Sequence, residues 1–312
     1  MADVVTLGET MALWRTDQPG LPVNGSRGTL GFGGADSNVA IALSRLGHTS
    51  KWISALGDDE LGAMIASGIE SEGVETSVQF SKSHPTGLMV KSPSKSKERF
   101  VSFYRSGSAA SSMGPADIAE ADFEGAKIFH FSGITPMLSS SCAELMRKAI
   151  DTCKSSGAAI SFDVNHRPAL WDGQTARATY KEFCGEADLV FGDREELSLL
   201  VGEDLADLEL LSRVAELGPT HVVLKLGDEG AMSLCDGEVL ARPAINIEVI
   251  DTVGAGDAFV AGYLSALLDD EPADERLIRA TYCGAQACTN PGDWEGSVTR
   301  DQLDVARGEL VS

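Results

Sequence analysis

Short apolar runs rich in β-branched residues alternate with amphipathic segments along most of this chain. The runs predict buried strands, and the segments, in which apolar residues recur every three or four positions, predict helices. The predicted strands are Val4–Leu7, Trp52–Leu56, Ile128–Phe131, Ala158–Phe162, Leu189–Phe191 and Val222–Leu224. The predicted helices are Ser37–Leu46, Leu61–Ser71, Ser141–Ser155, Arg177–Phe183, Glu195–Val201 and Leu208–Leu217. This alternation predicts an α/β fold with a mostly parallel sheet and helices on both faces.

Two stretches, 12–32 and 84–105, interrupt this rhythm. Both are rich in Gly, Pro and Ser and contain residues of alternating polarity, which is typical of short antiparallel strands and turns. We expect them to form a small β-lid over one edge of the main sheet, with a solvated hairpin tip at Pro93–Lys97. Because the sequence shows neither an internal repeat nor a low-complexity linker, we expect residues 1–312 to form a single domain with this lid.

The charge of the chain narrows its partners. The 312 residues include 25 Lys and Arg against 47 Asp and Glu, which gives a net charge of −22. A surface this acidic repels phosphodiesters and anionic lipids, so we expect neither nucleic acid nor a membrane as a partner. A locally basic pocket on such a protein can still bind a small anion.

The start of the chain and its cysteines point to a cytoplasmic location. The first residues lack a basic segment followed by an apolar one, and no run approaches the roughly 20 apolar residues that cross a bilayer. The six cysteines form no CxxC pair and the histidines no HExxH motif, so we expect reduced thiols and no transition-metal site.

The most informative stretch begins at Asp251 and opens a helix that we expect to end near Leu268. The small residues at 254–256 leave backbone N–H groups exposed at a helix start, which is a prepared anion site. Asp257, in the first turn, can accept a proton from a hydroxyl that attacks a bound phosphate. No GxxxxGK[ST] motif occurs, and no GxGxxG motif follows the first strand, so a P-loop and a dinucleotide-binding fold are not indicated.

Residues 251–259, Asp-Thr-Val-Gly-Ala-Gly-Asp-Ala-Phe, resemble the C-terminal signature of the PfkB, or ribokinase-like, carbohydrate kinases. Residues 31–40, Gly-Phe-Gly-Gly-Ala-Asp-Ser-Asn-Val-Ala, resemble the N-terminal glycine-pair signature of the same family. The resemblance implies a three-layer α/β/α sandwich and ATP-dependent phosphorylation of a sugar. It also implies that Asp257 is the catalytic base and that Gly254, Ala255 and Gly256 form the anion hole. The sugar would lie against the backbone of Gly33 and Gly34, with Asn38 nearby.

The resemblance further implies sites for ATP and Mg²⁺. The nucleotide-binding residues would be Asn165, Asp193, Lys225, Leu226, Gly227, Gly230, Gly254 and Gly256. Asp193 and Glu196 match an element that organises Mg²⁺ through water, which suits a hard cation. Asp193 stands where the family usually has Asn, and the alternative is a helix-capping Asp followed by solvated acids. By the same resemblance, Asp251 and the neighbouring carbonyls could hold a monovalent cation, as in some relatives.

Residues 103–110 and 162–171 resemble those of 2-keto-3-deoxygluconate kinases, a subgroup that acts on a sugar acid. Arg105 and Arg167 match the substrate and phosphate contacts of these kinases, and two converging arginines would bind the carboxylate of the sugar acid through charge-assisted hydrogen bonds. The alternative is that they pair with lid carboxylates. Asp293 matches a late substrate contact. Met89 and Phe103 replace tyrosines at two substrate positions, so a shifted specificity is expected.

Two alternatives stay open at this point. One is a fructokinase-type or ribokinase-type enzyme of a neutral sugar, and the other is a non-catalytic sugar or nucleotide sensor. The lid could also form a homodimer clasp.

Overall fold

The computed structural model describes residues 1–92, 100–168 and 171–310, so the predicted hairpin tip at 93–97 lies outside the described residues. The strands are β1 Val4–Leu7, β2 Met11–Thr16, β3 Gly28–Gly33, β4 Ser50–Gly57, β5 Glu75–Ser81, β6 Leu88–Ser92, β7 Phe100–Tyr104, β8 Ile128–Ser132, β9 Ala159–Asp163, β10 Leu189–Gly192, β11 His221–Lys225, β12 Ala231–Cys235 and β13 Glu238–Arg242. The helices are α1 Ala35–Arg45, α2 Glu60–Ser71, α3 Ile134–Met137, α4 Ser140–Ser156, α5 Gly173–Glu186, α6 Arg194–Val201, α7 Asp207–Ala215, α8 Ala255–Leu268, α9 Ala273–Ala287 and α10 Arg300–Leu310.

Nine strands form the main sheet in the order β13-β12-β11-β10-β9-β8-β1-β4-β5. All neighbouring pairs are parallel except β11–β12 and β12–β13, which form antiparallel hairpins at one edge. Successive residues of β1 face opposite sides, because side chains alternate along a strand. Val5 and Leu7 pack with the α4, α5, α6 and α7 layer, whereas Val4 packs with α1, α8 and α9. The predicted three-layer α/β/α fold with a mostly parallel sheet is confirmed.

The predicted elements lie within a few residues of the observed ones. The largest shift is at α5, which begins four residues earlier than the apolar pattern indicated. Its start is set by Asp172, whose carboxylate accepts a hydrogen bond from the backbone N–H of Thr175 at 2.9 Å. The sequence analysis made no prediction for β5, β12, β13, α3, α9 or α10.

The lid is a four-stranded sheet in the order β3-β2-β6-β7. Its strands fall in the two predicted stretches, but the expectation of purely antiparallel strands was wrong. β2 pairs with β6 in parallel, and this pair joins two antiparallel hairpins. The parallel pair arises because the chain leaves the lid after β3, passes through β4 and β5 of the main sheet, and returns as β6.

The fold brings several chain segments to one end of the main sheet. β9, β10 and β11 are parallel neighbours, so their carboxyl ends meet there. The start of α8 and one face of the lid close the same region. Among the described helices, none is long and apolar enough to span a bilayer.

Candidate active site

The start of α8 depends on a glycine in the left-handed region. Gly254 is the N-cap residue and has a φ of 74°. A Cβ atom at this position would overlap the carbonyl oxygen of Asp293, so only glycine fits here without strain. The carboxylate of Asp251 accepts a hydrogen bond from the backbone N–H of Val253 at 3.2 Å, which shapes the turn just before it. The helix therefore starts where the sequence predicted.

Asp257 lies in the first turn of α8 and lines a cavity. Its Oδ2 accepts a hydrogen bond of 2.7 Å from the side-chain amide of Asn38. Within the described part of the chain it forms no ion pair. Burial raises the pKa of Asp257 to about 6; Asn38 opposes this shift, and the Asp163 carboxylate adds to it. The carboxylate is therefore a base with a raised pKa, held by one neutral donor and open to a ligand.

The glycine pair before α1 is packed against its surroundings. Gly34 is the N-cap residue of α1, and a Cβ atom there would overlap the carbonyl oxygen of Glu9. A Cβ atom on Gly33 would overlap the carboxylate of Asp293. Both positions therefore need glycine for close approach, and they place the backbone directly beside Asn38 and Asp257.

A cavity of about 450 Å³, which we call the charged cavity, collects most of the predicted site residues. It lies between the carboxyl ends of the strands, the start of α8 and the inner face of the lid. The predicted residues that line it are Gly33, Gly34, Asn38, Met89, Phe103, Arg105, Asn165, Arg167, Asp193, Glu196, Lys225, Gly254, Gly256, Asp257 and Asp293.

The two predicted carboxylate-binding arginines differ in their surroundings. Arg105 donates to Glu9 through Nε at 2.7 Å and lies 2.5 Å from it through Nη2, and Ser108 also donates to Glu9. Glu9 lies in the connection between β1 of the main sheet and β2 of the lid, so the acid that pairs with Arg105 is not on a lid strand. Arg167 has no acidic partner among the described residues; its Nη1 donates to the carbonyl oxygen of His166 at 3.4 Å.

Lys225 was predicted to bind the nucleotide, and its ammonium lies in the charged cavity. Nζ is 2.7 and 2.9 Å from the two carboxylate oxygens of Asp163, and 3.8 Å from Oε2 of Glu196. Burial alone lowers the pKa of Lys225, but these two carboxylates outweigh it and raise the pKa above its usual value. The ammonium is therefore a fixed positive charge near Asp257.

Asp193 and Glu196 form a capping box at the start of α6. The Asp193 carboxylate accepts from the N–H of Glu196 at 2.8 Å, and the Glu196 carboxylate accepts from the N–H of Asp193 at 2.9 Å. Glu196 is buried rather than solvated, and burial raises its pKa to about 7. Because their oxygens already accept N–H bonds, these carboxylates suit a Mg²⁺ ion held through water better than direct ligation.

Two further acids border the charged cavity. Both oxygens of Asp36 accept hydrogen bonds from Ser132, at 2.8 Å from its N–H and 2.9 Å from its hydroxyl. Asp293 is also buried, and its Oδ1 has no hydrogen-bond partner in the described structure. Burial raises the pKa of each of these acids to about 7. Oδ1 of Asp293 can therefore accept a hydrogen bond from a ligand, at a position predicted to contact the substrate.

A second cavity, of about 660 Å³, lies on the other side of the α8 start; we call it the apolar cavity. Its wall is made of small and apolar residues from the segment 244–249, from α8 and from α9. The residues that line it are Gly227, Asp228, Gly230, Ala244, Ile245, Asn246, Ile247, Val249, Thr252, Ala255, Gly256, Phe259, Thr281, Gly284, Ala285 and Cys288.

The predicted nucleotide-binding residues divide between the cavities. Gly227 and Gly230 line the apolar cavity, whereas Asn165, Asp193 and Lys225 line the charged one. Gly256 lines both, and Gly254 lines the charged cavity. Leu226 lines neither and packs against the hydrophobic core instead.

Sequence reasoning missed four charged residues of the charged cavity. Lys91 could have been found, because it lies two residues after Met89 in a strand and so faces the same side. Asp163 could have been found from its place at the end of a predicted strand. Glu9 and Asp36 carried no comparable signal, because their partners come from distant segments.

A family model described as pfkB family carbohydrate kinase matches residues 1–300 of this chain. The chain therefore belongs to the pfkB family of carbohydrate kinases, which are phosphotransferases. The family assignment that the two glycine motifs supported is confirmed.

Two relatives and one solved structure illustrate the likeness. The 2-dehydro-3-deoxygluconokinase of Bacillus subtilis (strain 168) is 35% identical over 305 residues, covering 96% of this chain and 94% of the relative. The 2-dehydro-3-deoxygalactonokinase of Haloferax volcanii is 31% identical over 313 residues, covering 98% and 97%. The crystal structure of a PfkB protein from Polaromonas sp. JS666 is 34% identical with a TM-score of 0.88, covering 98% of this chain and all (100%) of that chain. Each likeness extends over nearly the whole of both chains.

Proposed function

We propose that this kinase transfers the γ-phosphoryl group of ATP to a hydroxyl of a sugar acid of the 2-keto-3-deoxygluconate class. The observation that carries the substrate class is Arg167, a cation without an acidic partner among the described residues, in a cavity that also holds Asp257. A guanidinium binds carboxylates and phosphates strongly, and a sugar acid brings such a carboxylate into the cavity. The names of the two relatives, both kinases of sugar acids, support the same class.

Asp257 is proposed as the general base. Its carboxylate faces the charged cavity, beside the close-packed glycine pair against which a sugar can lie. The substrate hydroxyl gives its proton to Asp257 as its oxygen attacks the γ-phosphorus of ATP; the bond from this phosphorus to the β–γ bridging oxygen breaks, and ADP leaves. Asn38 holds the carboxylate in place through its 2.7 Å hydrogen bond.

The backbone N–H groups at 254–256 are proposed to stabilise the phosphoryl group during transfer. They lie where the two cavities meet, because Gly256 and Thr252 line both. ATP would place its adenosine in the apolar cavity and its terminal phosphate at the start of α8, facing Asp257. The positive end of the helix and the ammonium of Lys225 then act on the same charge.

Asp193 and Glu196 are proposed to hold Mg²⁺ through water. When bound, Mg²⁺ supplies charge neutralisation to the nucleotide phosphates. The lid residues Met89 and Phe103 cover the cavity and keep out water, which would otherwise accept the phosphoryl group.

A homodimer through the lid is a further part of the proposal. The strand register puts Leu30 and Tyr104 on the face of the lid opposite to Met89 and Phe103. These two side chains are 49% and 64% exposed, which supports an apolar contact on that outer face.

The chain is proposed to act in the cytoplasm as one kinase unit over residues 1–312. ATP is supplied there, and all six cysteines are free, which suits a reducing compartment.

The test is an ADP-release assay with 2-keto-3-deoxygluconate, 2-keto-3-deoxygalactonate, fructose and ribose, each with and without Mg²⁺. We expect a sugar acid to be the best substrate. A higher kcat/KM for fructose or ribose would favour the neutral-sugar alternative. That alternative is supported by Met89 and Phe103, which replace tyrosines of the sugar-acid kinases. No turnover with any sugar would favour a sensor.

Arg167→Met sharpens this test. It removes the guanidinium, so the KM for the sugar acid should rise about 10- to 100-fold, the range for losing a hydrogen bond to a charged group. Turnover of a neutral sugar should change much less. The matched control is Arg147→Met, which removes an exposed arginine paired with Glu182. An unchanged preference for the sugar acid in Arg167→Met would contradict this role.

A further inference from the structure

Lys91 connects the lid to the start of α8. It belongs to β6 and faces the charged cavity, and its side chain is only 10% exposed. Its Nζ lies 2.6 Å from Oδ2 of Asp251, whose side chain is 14% exposed. This is an ion pair between a lid strand and the loop before the helix, 160 residues apart in the chain.

Asp251 shapes the turn that follows it. Its other oxygen, Oδ1, accepts the hydrogen bond from the N–H of Val253, and the next residue is Gly254. Without a cation beside it, the Asp251 carboxylate would place a negative charge close to the N–H groups proposed to bind phosphate. It also lies near Asp293, and its negative charge raises the pKa of Asp293. Because like charges in a buried site repel strongly, Asp251 needs a cation whenever a nucleotide phosphate is bound.

The resemblance to kinases with a monovalent cation at this place implies such an ion. The oxygen of Asp251 that faces the lid is already bonded to an ammonium at 2.6 Å. A K⁺ ion ligated by this oxygen would have to displace Lys91, and the displaced ammonium would be left buried. The residues around Asp251 therefore fit the ammonium of Lys91 better than a bound K⁺ ion.

We propose that Lys91 is a positioning residue for phosphoryl transfer, whose ammonium takes the place of a monovalent cation at Asp251. The lid thereby supplies the charge that keeps the loop before Gly254 in the shape that binds phosphate. Lys91 acts through Asp251 and need not touch the phosphate itself. The inference rests on the family's phosphoryl transfer from ATP and is independent of which sugar is the acceptor.

The first experiment compares turnover of the wild-type chain in buffers whose only monovalent cation is tetramethylammonium with turnover after addition of about 0.1 M K⁺. We expect the same kcat within about twofold. A wild-type enzyme that needs K⁺ would overturn the inference.

The second experiment uses Lys91→Met, which removes the ammonium and keeps most of the side-chain length. Without K⁺ we expect kcat to fall about 10- to 100-fold, with a smaller change in the KM for the sugar. Added K⁺ should restore part of this loss, because the ion can then reach Asp251. The matched control is Lys51→Met, which removes a lysine paired with Glu75 on the main sheet and should show neither effect.

The double variant Lys91→Met with Asp251→Asn separates this role from a general loss of stability. It removes both charges, so it should be more active without K⁺ than Lys91→Met alone and should not respond to K⁺. Wild-type turnover in Lys91→Met, or a loss that neither K⁺ nor Asp251→Asn relieves, would overturn the inference. A wild-type chain that phosphorylates no sugar in the panel would instead defeat the proposed function.

Discussion

The charged cavity and the apolar cavity meet at Thr252 and Gly256, yet they are lined in opposite ways. Seven acidic and four basic residues line the charged cavity, whereas Asp228 is the one charged residue among the described residues of the apolar cavity. Three of the four cations are already bonded to acids, namely Lys91, Arg105 and Lys225. The net charge of −22 therefore says little about the electrostatics of the charged cavity, where most cations form ion pairs with acids.

The difference also assigns separate tasks to the two cavities. Burial raises the pKa of acids in the charged cavity, so that cavity can move a proton and respond to pH. The apolar cavity offers dispersion and burial to a flat aromatic base, which need no ionised groups. Substitutions of ionisable residues in the charged cavity should therefore lower kcat and change its pH dependence. Substitutions where the two cavities meet should slow the phosphoryl transfer step.

The largest expected effect is that of Asp257→Asn on the charged side. The amide keeps the shape of the side chain but cannot take the hydroxyl proton, so kcat should fall about 10²- to 10⁴-fold. The KM for the sugar should change little. Initial rates of ADP release measure both quantities, and Asp301→Asn, at an exposed position of α10, is the control. Near-normal turnover in Asp257→Asn would contradict the proposed mechanism.

The next effect concerns the loop at the start of α8, close to where the two cavities meet. Gly254→Ala adds a methyl group where φ is 74° and where the carbonyl oxygen of Asp293 leaves no room. The N–H groups of the loop should move, which should lower kcat about 10²- to 10³-fold.

Gly157→Ala is the matched control for that change. Gly157 ends α4 with a φ of 80°, but nothing lies within 4 Å of its Cβ position. It carries the same backbone strain without the overlap, so thermal unfolding should report a loss of stability while kcat stays the same. If both variants lost only stability, the placement of the anion site at Gly254 would be wrong.

The smallest effect is a difference in pH dependence: catalysis in the charged cavity should depend on pH, and binding in the apolar cavity should not. Asp257 must be ionised to act as a base, and burial raises its pKa to about 6. A raised pKa keeps the acid protonated at higher pH, so kcat/KM for the sugar should fall about tenfold per pH unit below about 6. Adenosine, which carries no phosphate, should bind equally well over the same range, as calorimetry can show. A fall that begins only near pH 4, the ordinary range of Asp, would contradict this assignment.

The sequence alone was enough for six of the nine strands of the main sheet, for the helices between them and for the start of α8. Buried parallel strands are continuous apolar runs, and a helix start at a glycine is a local property, so both are readable from neighbouring residues. Asp257, Asn38 and the glycine pair were found because each belongs to a short motif that resembles a signature of the family. The parallel β2–β6 pair was missed, because it joins strands separated by a long stretch of chain.

The pairing of charges was decided only by the tertiary structure. Lys225 begins a glycine-rich loop that predicts a nucleotide contact. Its ion pair with Asp163 was not predicted, because the two residues meet only where adjacent strands end side by side. Arg105 and Arg167 looked alike in the sequence, and the structure pairs one of them with Glu9 and leaves the other without an acidic partner among the described residues. Electrostatic interactions depend on distance in space and on burial, and neither is contained in the spacing of residues along a chain.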